Sequence, residues 1–232
     1  MAPNIPIIVT EIPRSGAGMV ACALSVSGVW FAQSARDGQF FNQSVYVNLV
    51  RPMLRGLHAD RNGIIRMPDS QRCIEIAELT AKTWVRRVRE LTLAQGYESG
   101  PWGYLGSDAT LLWPVWAAAY PNARWIIARR DDDSIIESCG RTKYMGPRRT
   151  REQMARWIAD FEKRFSALRA RVDVKEIWPA EFIAGDLTSL QGLFVSLGLG
   201  WDEQKIRDAL APVLWGNGVF SDKKVVSYGA GD

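Results

Sequence analysis

Ile5-Pro-Ile-Ile-Val-Thr-Glu-Ile-Pro-Arg-Ser-Gly-Ala-Gly-Met-Val20 is the stretch on which the reading of this chain turns. Its apolar residues, Ile5, Ile7, Ile8, Val9 and Ile12, make a run long enough for a buried strand. The run breaks at Pro13 into the small-residue turn Ser15-Gly16-Ala17-Gly18, and Met19, Val20, Ala23 and Leu24 then recur at helical spacing. Strand, turn and helix in this order are the parts of an anion cradle. Glycine lets the backbone approach an oxyanion closely, and the first N–H groups of a helix lack intrahelical partners. Arg14 adds a full positive charge at the mouth. The same residues also compose an ordinary βα turn, since glycine and serine are common there.

The 232 residues have the length of one α/β domain, taken as residues 1–232, with 47% hydrophobic and 23% charged residues in the ordinary globular range. Arg, Asp or Gln interrupts every apolar run before it reaches the length of a membrane span. The first residues show no basic segment ahead of an apolar core, so the reading expects no secretory signal and a cytoplasmic protein. Cys22, Cys73 and Cys139 lack metal-ligand spacing and fall in helical patterns, which predicts reduced packing residues and no metal. A net charge of +4 suits an anionic small ligand as well as nucleic acid. Arg86, Arg87 and Arg89 form one basic group and Arg148, Arg149 and Arg151 another, the kind of runs that usually make solvated helix faces. Nucleic acid is neither implied nor excluded.

Along the chain, the periodicity predicts a helix over Phe40 to Leu57 and a long one from Met67-Pro-Asp-Ser70 to about Gly96. Cys73, Ile76, Ala77, Thr80, Trp84, Val88 and Leu91 mark the buried stripe of the second. Trp102 to Leu105 reads as a short strand, followed by a helix over Thr110 to Tyr120 with Pro114 in its first turn. Ala123 to Ala128 reads as a further strand. A helix from about Arg149 to Arg171 buries Met154, Trp157, Ile158, Phe161, Phe165 and Leu168. Val174 to Trp178 is the last strand, and Asp186 begins a helix that turns Leu190, Leu193, Phe194 and Leu197 inward. Strands alternating with helices predict a three-layer, P-loop-like α/β fold: a central, mainly parallel sheet flanked by helices. Ligands of such sheets bind at the carboxyl ends of the strands, which would set Arg14, Ser15 and Gly16 beside Arg129 and Arg130 if their strands are neighbours. Gly216 to Asp232 shows little periodicity.

Ile8 to Met19 resembles the opening strand and loop of sulfotransferases, where a proline, a basic residue and Ser-Gly-Thr-Thr bind the 5′-phosphosulfate of PAPS (3′-phosphoadenosine 5′-phosphosulfate). Pro121-Asn-Ala-Arg-Trp-Ile-Ile-Ala-Arg-Arg-Asp-Asp-Asp-Ser-Ile-Ile-Glu-Ser138 resembles that family's second signature, in which an arginine and a serine eight residues on hold the 3′-phosphate. The matching pair is Arg130 and Ser138. Ala180 to Leu187 and Leu197 to Asp202 resemble the family's closing region, so three segments in order cover most of the chain. In length, and in its Gly-Tyr and Leu-Trp-Pro stretch, the chain resembles short sulfotransferase-like proteins encoded by phages.

The resemblance implies sulfuryl transfer from PAPS, leaving PAP, to a hydroxyl or amine on a small molecule, glycan or protein. The backbone of Ser15, Gly16, Ala17, Gly18, Met19 and Val20 would hold the 5′-phosphate. Arg14 would bridge that phosphate and the sulfuryl group. Arg130 and Ser138 would select the 3′-phosphate, with Arg129 as an alternate. His58, the only histidine, is the candidate general base, since imidazole titrates near neutrality; Asp37, Asp60 and Asp108 are rivals. Two departures stand out. Ala17 and Gly18 replace the two threonines, and Asp131-Asp132-Asp133 adds negative charge beside a phosphate site. The missing threonines and the open choice of base keep open a second reading, a PAPS- or PAP-binding scaffold without turnover. A third, a small-molecule kinase, is disfavoured by the missing Gly-Lys-Ser/Thr of a Walker loop. Trp30, Phe31, Phe40 and Phe41 are either an apolar acceptor pocket or core.

Overall fold

β1 (Pro6–Glu11), β2 (Trp102–Leu105), β3 (Arg124–Ala128) and β4 (Val174–Ile177) form one sheet in the order β2-β1-β3-β4, with every pair parallel. The computed structural model describes residues 5–32, 42–60, 62–141 and 149–214. After β1 come α1 (Ala17–Val26), α2 (Gln43–Val45), α3 (Arg51–Gly56) and α4 (Ser70–Ala94). α5 (Asp108–Leu111) and α6 (Trp113–Ala119) separate β2 from β3, and α7 (Asp132–Gly140) and α8 (Arg151–Arg169) separate β3 from β4. α9 (Pro179–Ile183), α10 (Thr188–Leu197) and α11 (Glu203–Leu214) follow. No helix among the described residues is long and apolar enough to cross a membrane.

The sheet is buried on both faces, which is why its central strands read as apolar runs rather than as alternating ones. Successive side chains still point to opposite faces. Ile7, Val9, Ile126 and Ala128 pack with Val20, Leu24, Leu190 and Phe194, so α1, α10 and α11 cover one face. Ile8, Trp125 and Ile127 pack with Trp84, Trp116, Phe161 and Phe165, so α4, α6, α7 and α8 cover the other. Trp116 is the hub of that second core, with Trp84 edge-on at 5.4 Å and Tyr104 at 4.5 Å between ring centroids. This is the three-layer α/β architecture that the pattern predicts.

Local signals set the helix starts. The Asp69 carboxylate accepts from the Arg72 N–H at 2.7 Å and caps α4. Thr150 and Gln153 close a reciprocal capping box on α8. Each cap contributes on the order of 1 kcal/mol. All six predicted core residues of α8 are buried. Arg164 is buried beside them, its guanidinium donating to the carbonyls of Leu111 and Pro68.

Prolines broke two predicted helices. The one expected over Phe40 to Leu57 is described from Gln43 to Gly56 and widens into a π-turn over Tyr46–Val50, where the Arg51 N–H reaches the Tyr46 carbonyl. Pro52 has no N–H for Asn48 and its ring crowds that carbonyl, so the turn before it takes an extra residue. The helix expected over Thr110 to Tyr120 is two, α5 and α6, separated at Leu112, because Pro114 has no N–H for Thr110. The tail from Gly216 lies outside the described residues.

Phe31 belongs to the core. It is 4% exposed, and its ring fills the space over Gly103, where an added Cβ would lie 2.2 Å from Phe31 Cε1. Trp30 joins β2 through its Gly103 hydrogen bond of 2.8 Å and packs on Tyr97; Phe40 and Phe41 lie outside the described residues. Gly103→Ala should therefore overpack this edge and destabilise the fold by about 1–3 kcal/mol, read as a lower urea midpoint with an unchanged m-value.

Candidate functional site

The strand order reverses beside β1: the chain leaves it for β2 on one side and returns to pair β3 on the other. Crevices at the carboxyl ends of strands open at such switch points. β1 and β3 run in register from Ile7 opposite Arg124 to Glu11 opposite Ala128. The loop after β1 and the two arginines after β3 therefore leave the same edge of the sheet.

The loop is tight. The Ser15 N–H donates to the Ile12 carbonyl at 3.1 Å and the Met19 N–H to the Gly16 carbonyl at 2.9 Å. Arg14 and Gly16 both have left-handed backbones, φ 83° and 93°. For glycine this is free; for arginine it costs about 1–3 kcal/mol and persists only where neighbours hold it. Arg130 is such a neighbour, its Nη1 donating to the Arg14 carbonyl at 3.0 Å. The Arg14 Nε in turn donates to Ser138 Oγ at 2.9 Å. Pro179, opening α9, lies 3.0 Å from where a Cβ on Gly16 would stand, so this position also lacks room for a side chain.

Arg14, Ser15, Gly16, Arg130 and Ser138 thus form one group, drawn from the β1 loop, the end of β3 and α7. Ser15 is 2% exposed and its Oγ has no hydrogen-bond partner among the described residues. Met19 and Val20 turn their side chains into the core. Ala17 is fully buried, whereas a side chain at Gly18 would meet nothing within 4 Å.

Arg129 leaves in another direction. Its guanidinium pairs with Glu162 at 2.6 Å and Glu176 at 3.5 Å and lies over the rings of Phe165 and Trp178. The three aspartates serve α7. The Asp131 carboxylate accepts from the Ser134 N–H at 2.8 Å, a bond that holds it below the usual carboxylate range, and Asp132 and Asp133 occupy the positive first turn. Asp133 also pairs with Arg151.

His58 stands on an exposed turn after α3 with φ 54°, and its imidazole makes no hydrogen bond or ion pair among the described residues. Asp60 is taken up by its own loop, accepting from the N–H groups of Asn62, Ile64, Ile65 and Arg66. Asp108 is buried at the carboxyl end of β2 and accepts from the Tyr104 hydroxyl at 2.8 Å. Asp37 lies outside the described residues.

Reading the sequence for cations missed the carboxylate inside the loop. Glu11 ends β1 on the face of Ile7 and Val9, the face covered by α1, and its Oε2 accepts from the Ala17 N–H at 2.8 Å. Burial pushes its pKa up to about 7, against the pull of the Ala17 amide, the Arg14 charge and the amides of Ser15 and Gly16. The available signal was parity: an acidic residue two positions after Val9 on a strand must face the helix that follows.

No family model matches the sequence, and no curated protein matches it. Among solved structures the chain is similar to the crystal structure of the sulfotransferase STF1 from Mycobacterium tuberculosis H37Rv. The two superpose with a TM-score of 0.55 and 17% sequence identity, over 90% of this chain and 71% of that one. The likeness is one of fold: this chain has the α/β architecture of that sulfotransferase.

Proposed function

We propose that this protein transfers a sulfuryl group from PAPS to a hydroxyl or amine acceptor. The observation that carries the reading is the linked group Arg14, Ser138 and Arg130, which ties an anion-cradle loop to a second basic position across the β1–β3 switch point. The sulfotransferase-like fold supports it. The residues present fit the group: two arginines, a buried Ser15 hydroxyl lacking a partner, and an N–H at Gly18 with no intrahelical acceptor.

PAPS, when bound, supplies an activated sulfuryl group on its 5′-phosphate. Transfer of this kind resembles phosphoryl transfer in needing alignment and charge stabilisation rather than covalent chemistry by the protein. Arg14 would neutralise charge on the leaving phosphate; its strained backbone, held at the carbonyl by Arg130, and its Nε bond to Ser138 keep the guanidinium from wandering. Arg130 and Ser138 would recognise the 3′-phosphate, the planar guanidinium offering a fork for two oxygens. Asp108 and His58 are the candidates for taking the acceptor's proton, Asp108 by its place at the carboxyl edge of β2 and His58 as an exposed imidazole. Ala17, where the related loops carry threonine, favours the second reading, a PAP-binding protein without turnover.

Radiolabelled sulfate transfer from PAPS to a lysate of acceptors separates the two readings. Arg14→Ala should lower that transfer about 10²-fold or more while leaving the circular dichroism spectrum unchanged; undiminished transfer would sink the mechanism. By calorimetry, PAP should bind more tightly than AMP. Arg130→Ala should erase about 1.5–3 kcal/mol of that preference, the worth of hydrogen bonds to a charged group.

A further inference from the structure

The anion cradle already holds an anion of the protein's own. The Glu11 carboxylate accepts from the first N–H of α1 at 2.8 Å, and the Ser15 and Gly16 amides lie close enough to help hold its charge. These are donors of the kind an incoming oxyanion would use. An ionised Glu11 would sit against that oxyanion with like charge at a site where burial weakens screening.

We infer that Glu11 is a proton-coupled component of the anion site: an oxyanion enters the cradle together with one proton, which Glu11 takes up and keeps. The inference rests on the anion-cradle reading of this loop. In the protonated state the carboxyl loses its repulsive charge and gains an O–H that can donate to the entering oxyanion. The position of Glu11 argues for retention rather than departure. Thr10 and Ile12 on either side are buried, its backbone is in register with Ala128, and its parity aims it under α1.

The charged and titratable groups around it are few. Arg14 comes from the loop and Arg130 from the end of β3. Cys139 of α7 senses the Glu11 charge, but burial pushes its thiol up to about 11. Asp108, from the β2 side, is bonded to Tyr104. Glu11, raised by burial to about 7, changes charge in the neutral range.

Inorganic sulfate is the probe, because it stays a dianion throughout the neutral range. Its Kd for the whole chain, measured by calorimetry between about pH 6 and 9, should rise toward tenfold per pH unit above the Glu11 midpoint, the slope of one proton taken up. Glu11→Gln should flatten that slope and bind sulfate about tenfold or more tightly than the parent near pH 8.5. An equal slope in parent and variant would overturn the inference. So would a parent slope of the opposite sign, which is proton release by a Glu11 that swings out. Should Glu11→Gln fail to fold, the carboxyl carbon shift of labelled glutamate in the parent decides: sulfate must raise the Glu11 midpoint, and an unmoved or lowered midpoint refutes it. PAP is titrated in parallel. Sulfate behaving as described with no PAP binding would refute the PAPS reading alone; PAP binding with one pH profile in parent and variant would refute the role of Glu11 alone.

Discussion

The pairing of β1 with β3 is the constraint on which the rest of this protein depends. A parallel ladder fixes both the order of two strands and where each one ends. Here the ladder from Ile7–Arg124 to Glu11–Ala128 makes the two chains leave the sheet at one level. Residues more than a hundred positions apart then meet: Arg130 holds the Arg14 carbonyl, and Arg14 reaches Ser138. The apolar burial that drives the pairing is on both faces, through Ile8 and Trp125 on one and Val9 and Ile126 on the other. Loss of either core would release the arginines along with the sheet.

Charge at the site is arranged by geometry more than by count. Five basic or acidic residues follow β3 in a row, yet they serve three different structures. Arg129 closes the β4 side against Glu162 and Glu176, Arg130 turns to the loop, and the aspartates cap and complement α7. Asp131 caps that helix and Asp132 and Asp133 complement its positive end, so they draw no cation from the loop after β1. Within the loop the order is reversed: a carboxylate on the preceding strand, Glu11, satisfies the amide at the head of α1.

The elements legible from local pattern were those with a local cause. β1 and β3 followed from apolar runs, α4 and α8 from their caps and stripes, and α10 from its Leu190, Leu193, Phe194 and Leu197 face. The π-turn before Pro52 and the break before Pro114 escaped the pattern. Hydrophobic period survives a local change of helix type, and only the backbone bonds record it. Arg164 escaped for a different reason. An arginine at the edge of the stripe, seven positions after Trp157, gives no sign of burial until the carbonyls of Pro68 and Leu111 are known to face it.

By itself the sequence determined the layered α/β fold, the loop as a turn rich in backbone donors, and the two basic positions that follow β1 and β3. Their causes lie within a few residues of each other. Only the tertiary structure decided which arginine serves the loop and which the opposite edge. Neighbouring residues on an extended chain point to opposite sides, and their partners come from α7, α8 and β4. The same holds for Glu11. As a residue it is one more carboxylate at the end of a strand; set against the first turn of α1, it takes up the first N–H of that helix.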